Sequence, residues 1–193
     1  MAGMTEICNM ALALIGQKPI QNVEDTTSVN AGYCRQFWDI ARDGALEDFA
    51  WPFATRRVQL QDTDYTPSHE YAYAFALPAD LIKVQALQDH RIVYTIEARD
   101  SGDLVLLTNE PEIYLKYTGR SEITGRWSPN FVEAMAAKLA LYLCGPIVGK
   151  NTSKLELMSK FYEMALSKAR HAAVTQGFEP RESESSWLTS RNL

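Results

Sequence analysis

Apolar residues recur at helical spacing through the first fifty positions. Cys34, Phe37, Trp38, Ala41, Ala45 and Phe49 line one side of a 3.6-residue turn, with Arg35, Asp39, Arg42, Asp43 and Glu47 opposite. This spacing predicts a long helix over 28–50. Thr27 or Ser28 supplies the side-chain acceptor for its first unpaired N–H. Pro52 has no N–H and disfavours helix at Trp51, which puts the end near Ala50. A shorter helix over 5–15 precedes it, with Ile7, Cys8, Ala11, Leu12 and Ile15 as the apolar side, Thr5 as cap and Gly16 as stop. Pro19 and polar neighbours make 17–26 a loop.

After Phe53 the period changes from 3.6 to 2. Val58-Gln-Leu60 alternates, 62–69 is polar and carries Pro67, and Tyr71, Tyr73 and Phe75 alternate with alanines as a strand with one aromatic side. Leu77-Pro-Ala-Asp80 is a turn before a strand over 81–87. Residues 91–97 pair with 104–108 across Ser101-Gly-Asp103, and 112–117 is a further alternating run. Short loops between such strands predict a small antiparallel meander.

Helical spacing returns at Ser128-Pro129, a cap followed by a proline suited to the first turn. Phe131, Met135, Leu139 and Leu143 form the stripe of a helix over 129–144, which Gly145-Pro146 ends or kinks. Ser153 and Glu156 have capping-box spacing for a helix over 153–175, with Leu155, Met158, Tyr162, Ala165, Ala169 and Ala172 on its apolar side. The remainder, 177–193, has neither period, yet carries Trp187 and Leu188. Such a polar stretch ending in a large apolar anchor either folds back on its own domain or docks on another protein. The expected architecture is α+β: a four-helix bundle (1–53 and 120–176) with an inserted small antiparallel β subdomain (54–119) and an extended C-terminal arm (177–193). Phe37, Trp38, Phe49, Phe131, Leu139 and Leu143 are the expected bundle core.

A chain of 193 residues with 46% apolar and 22% charged residues has the balance of a globular protein with a sizeable core. A net charge of −5 argues against tight nucleic-acid binding, which needs a concentrated basic face. Cys8, Cys34 and Cys144 are odd in number and far apart, each within an apolar helical pattern, and read as buried free thiols. No leader or bilayer-spanning run is expected, which places synthesis and assembly in a cytoplasm.

The chemistry-bearing residues form no strong constellation. Asp62, Asp64, His69 and Glu70 share a polar loop at no recognised ligand spacing. Asp39 and Asp43, one helical turn apart with Arg35 and Arg42 within reach, suit surface ion pairs. No nucleophile elbow, phosphate-cradling glycine loop or dinucleotide fingerprint occurs. No catalytic, cofactor-binding or metal residue is therefore assigned.

Several segments stand in a distinctive order. They are Ala11-Leu12 through Ile15-Gly-Gln-Lys-Pro-Ile20, the long helix ending in Phe49-Ala-Trp-Pro-Phe53, and Phe75-Ala-Leu-Pro-Ala-Asp-Leu81. Ser128-Pro-Asn-Phe131 follows, leading into Ala137-Lys-Leu-Ala140, and Ser186-Trp-Leu-Thr-Ser-Arg191 comes last. Together, in this order, they resemble the head-to-tail adaptor proteins of short-tailed bacteriophages, the tail tubular protein A or podophage connector family. The resemblance implies a structural virion protein, not an enzyme. It would form a homododecameric ring in the tail connector, assembled in the host cytoplasm. The helices would form the ring wall around a channel that passes duplex DNA without specific binding. The β subdomain would face outward or tailward. The arm, through Trp187, Leu188, Arg191 and Leu193, would dock on the portal protein. The tail nozzle (tail tubular protein B) would bind below, with tail fibres around the junction. Neither a membrane nor a cofactor is implied. The alternatives are a virion-associated cell-wall hydrolase and a cytoplasmic helical interaction module unrelated to phage.

Overall fold

Among the residues described by a computed structural model (2–65, 67, 69–149 and 151–175), four helices and six strands follow the predicted order. The arm residues Trp187, Leu188, Arg191 and Leu193 lie outside the described residues.

Helix α1 (Met4–Leu14) starts one residue earlier than predicted. Thr5 is not its cap: the Glu6 carboxylate accepts from the Gly3 N–H at 2.9 Å instead. The Thr5 hydroxyl accepts from the Val23 N–H, and the Asn9 side chain both donates to Ile20 O and accepts from Ile20 N–H. The loop over 17–26 is thus stitched to the helix before it. Gly16, with φ of +76°, makes the predicted left-handed stop.

Helix α2 (Val29–Glu47) is capped by Ser28, whose hydroxyl accepts from Ala31 N–H at 3.3 Å. It ends three residues before Ala50. Its last carbonyls find donors outside the helix, the Trp51 indole on Ala45 O at 2.8 Å among them, so further helical turns are not needed to satisfy them. Two expectations fail on its faces. Phe37 and Phe49 are half-buried, at the rim of the core. Arg42, expected outside, is buried, its charge held by Asp39 at 3.0 Å and Asp43 at 2.8 Å. Arg35 leaves those aspartates and donates to Val23 O and Asp25 O.

A single tight turn over Pro52–Ala54 leads into β1 (Thr55–Gln59). The other strands are β2 (Tyr73–Ala76), β3 (Leu81–Leu87), β4 (Tyr94–Ala98), β5 (Leu104–Thr108) and β6 (Tyr114–Gly119). All pairings are antiparallel, as expected, but they do not form a meander. Two three-stranded sheets run β1–β6–β3 and β2–β5–β4. Only β4 and β5 make the predicted hairpin, around Gly102 at φ +88°. The central strand β5 is buried on both faces, which its run Leu104-Val-Leu-Leu107 signals. Strand β2 is not one-sided either: Phe75 packs with Leu106 and Leu115, while Ala74, equally buried, packs with Val105 and Leu107.

Helix α3 (Pro129–Leu143) has the predicted start, with Ser128 Oγ accepting from Phe131 N–H at 3.3 Å. At Gly145-Pro146 the helix widens into one π-type turn over Cys144–Val148. Helix α4 (Thr152–Val174) is capped by Asn151 through Lys154 N–H at 3.0 Å, not by the Ser153–Glu156 box. Its inward face is turned slightly from the prediction: Leu155 is 44% exposed, and Leu166 and Ala173 join Met158, Tyr162, Ala165 and Ala169 inside. Helices α1, α2 and α4 all pack on α3, which explains why α3 is apolar nearly all round. The stretch Pro129–Val148 is long and apolar enough to cross a bilayer by length and composition, contrary to the expectation that no run approaches that length. Here its apolar surface is spent on three neighbouring helices.

All three cysteines are free and buried, as expected. Cys8 of α1 and Cys34 of α2 are neighbours; the thiol–thiol hydrogen bond and burial push the Cys8 pKa far up, which keeps it an inert thiol.

Candidate functional site

The most built-up part of the molecule is the joint where α2 ends and the sheets begin. Its apolar half is a cluster of rings around Phe131. Trp51 meets Phe131 edge to face with centroids 4.8 Å apart, Phe53 does the same at 4.8 Å, and Trp127 at 5.1 Å. Phe49 lies against Trp51 at 5.2 Å. Trp38 stacks on Trp127 at 6.1 Å, and Phe37, further along α2, stacks on Tyr142 at 6.0 Å. Of the six predicted core residues, Trp38, Phe131, Leu139 and Leu143 are buried and Phe37 and Phe49 edge the cluster. Trp51 and Trp127, which the sequence reading did not single out, complete it. Their indole N–H groups are both satisfied inside, on Ala45 O and on Ser121 Oγ. Two tryptophans, each within two residues of a proline at a boundary of a helical pattern, were the available signal.

The polar half gathers donors from three elements onto the C-terminus of α2. Lys83 of β3 donates to Glu47 O at 3.2 Å, and Arg170 of α4 donates to Asp48 O at 2.7 Å. The Asp48 carboxylate accepts from Lys138 Nζ of α3 at 2.7 Å and from the Tyr162 hydroxyl of α4. Lys138 also sits 5.0 Å from the centre of the Tyr162 ring. Cations here offset both the unpaired carbonyls and the negative end of the helix dipole. Gly44 makes the crossing fit, because a Cβ there would lie 3.0 Å from Lys138 Cε and Nζ.

Partial burial of Asp48 works to raise its pKa. The hydrogen bonds from Lys138 and Tyr162, with the charges of Lys138 and Arg170, outweigh it and hold the carboxyl below its usual range. Burial first, and then the Asp48 charge, push the Tyr162 phenol far up. Asp48 is therefore ionised and Tyr162 neutral at any ordinary pH. That is the state of an electrostatic clamp, not of a proton donor poised to react. A lone lysine inside the apolar stripe of α3 was the signal for this cluster.

Two further ion pairs tie the joint to the sheet. Arg120, just after β6, reaches Asp43 of α2 at 2.9 Å, so Asp43 bridges Arg42 and Arg120. Arg56 of β1 pairs with Asp80 and donates to Arg120 O at 3.0 Å, while the Tyr117 hydroxyl donates to Asp80 at 3.2 Å. Beside this network, an open cleft of about 500 Å³ lies between α2, α3 and β3, lined by Ile40, Asp43, Glu47, Asp48, Lys138 and Tyr142 among others. Among the described residues, no three His, Cys, Asp or Glu side chains are grouped so as to hold a metal ion. The loop carboxylates Asp62 and Asp64 do not meet His69 and Glu70 in such a cluster.

No protein-family model matches the chain, and no curated protein matches it.

Proposed function

We propose that this chain is a head-to-tail adaptor of a short-tailed bacteriophage: a structural ring protein that joins the portal to the tail nozzle. The observation that carries the reading is a coincidence of sequence and structure. Among the described residues, the segments that resemble that family stand, in their order, at places on which this fold turns. Ile15–Ile20 is the stretch stitched to α1 through Asn9. Phe49–Phe53 delivers Trp51 to Phe131, which belongs to the Ser128–Phe131 segment. Leu77–Leu81 leads into β3, and Asp80 there anchors the ion pair with Arg56.

In this reading the four helices act as a bundle that forms the wall of a dodecameric ring. The sheets are an inserted subdomain facing outward or tailward. A closed ring needs two different patches that meet on neighbouring copies. Arg42, Arg56, Arg91, Arg120, Lys138 and Lys168 each face a carboxylate, and the net charge is −5, which suits a channel that DNA passes without being held. The arm over 177–193 is the portal anchor, with Trp187 and Leu188 supplying most of the contact. Twelve such tethers reinforce one another, so each can be weak. Deleting residues 178–193 tests this reading. The truncated protein is expected to stay folded and to fail to join DNA-filled heads; normal assembly without the arm would refute the anchor.

A further inference from the structure

Away from the joint, α1, the start of α3 and the middle of α4 enclose an apolar groove of about 480 Å³. Met10, Leu14, Pro129, Ala136 and Phe161 line it, with Glu133 at the lip. Lys168 of α4 holds Glu133 at 2.7 Å, which places the Phe161–Lys168 side of α4 along the groove. On that same side, by i, i+3 and i+4 spacing, stand Leu157, 55% exposed, and Met164, 71% exposed. Met10 is 40% exposed. An open apolar strip of this kind on an otherwise acidic protein calls for an occupant.

We infer that the groove is the resting seat of the chain's own residues 185–189, with Trp187 and Leu188 as the inserted side chains. Three observations favour this occupant. The first is reach. Trp187 follows Thr175 by twelve residues, which span up to ~40 Å when extended. The return along α4 from Val174 to Phe161 is only ~20 Å at helical rise. The connecting sequence includes Gly177 and Pro180, residue types that favour turns. The second is charge. The connecting stretch Glu179-Pro-Arg-Glu-Ser-Glu184 carries three acids and one arginine, and it would run back beside exposed Lys160 and Lys168. The third is chemistry. A groove with apolar walls and one carboxylate at its lip suits an indole, whose N–H can donate to Glu133 while its rings are buried. The seat goes beyond the adaptor reading and stands without it. If that reading also holds, a partner must first draw the anchor out of the groove.

The test uses the full chain and acrylamide quenching of tryptophan fluorescence. Trp38, Trp51 and Trp127 are all buried, so the difference between the wild type and Trp187→Phe reports Trp187. In dilute solution that component is expected to be quenched several-fold more slowly than an exposed indole, and to emit at shorter wavelength. Phe161→Asp should release it. Met10→Glu, at a partly exposed position that leaves the fold intact, should release it as well. Rapid quenching in the wild type overturns the proposal. Protection that fades on dilution overturns it in favour of a second copy as the occupant. Protection untouched by both groove variants places Trp187 elsewhere and overturns it too.

Discussion

Trp51 and Phe131 lie 80 positions apart and meet edge to face at 4.8 Å, both buried without exposed surface. Trp51 leaves α2 and Phe131 opens α3, so this one contact fixes where the helices hand over to the sheets. Truncating either ring removes a large buried area and leaves a cavity lined by the other rings. Trp51→Ala is expected to cost roughly 3–5 kcal/mol by denaturant melting, and Trp38→Ala a similar amount. Phe37→Ala, at the rim, should cost clearly less. Equal losses at all three positions would mean that the rings form one uniform layer instead of a centre and an edge.

Asp48 gives the fold a dependence on pH whose sign follows from its environment. Its folded pKa lies below the ordinary carboxylate value, so the folded state favours the ionised form. The stability it contributes is fully present above the unfolded pKa of about 3.9 and is lost as pH falls through the folded value. Asp48→Asn should destabilise by about 1–3 kcal/mol at pH 7, a range set by charge-assisted hydrogen bonds at a partly exposed site. That difference should shrink as the pH falls below 4. A constant difference between pH 7 and pH 3 would show that the carboxylate charge contributes nothing.

Gly44 stands inside α2, where glycine is a poor helix former, and its reason is the path of Lys138 toward Asp48. In the wild type, Gly44→Ala gains helix propensity but crowds Lys138, so the two effects oppose. In an Asp48→Asn background there is no carboxylate to hold Lys138 in place. There the same substitution should stabilise by about 1 kcal/mol, the ordinary glycine-to-alanine gain. A double-mutant cycle by thermal melting measures the difference, and additive effects would sever the link between Gly44 and the clamp.

The helices were legible because periodicity and capping are local. Ser128-Pro129 and Ser28 predicted their starts, and the six strands fell where the period changed. Sheet order was not legible. Nothing local in Tyr114–Gly119 says that it pairs with both β1 and β3, since that depends on how both sheets close over Leu106 and Leu115. Charge placement failed in the same way. Arg42 sits on the polar side of α2 by spacing, yet Asp39 and Asp43 allow it to be buried once other elements cover it. The clamp at Asp48 joins α2, α3 and α4 across 122 positions, and no window of sequence contains it. The half-buried state of Phe49 follows from the helix stopping at Glu47, which is decided by donors arriving from β3 and α4.

The adaptor reading is tested most directly by measuring the mass of the full-length protein alone and after mixing with the portal protein of the same virus. A discrete complex that carries twelve copies of this chain on one portal ring is expected, with an added ring visible by electron microscopy. A portal of unchanged mass, with this chain remaining free at concentrations well above those of assembly, would contradict it.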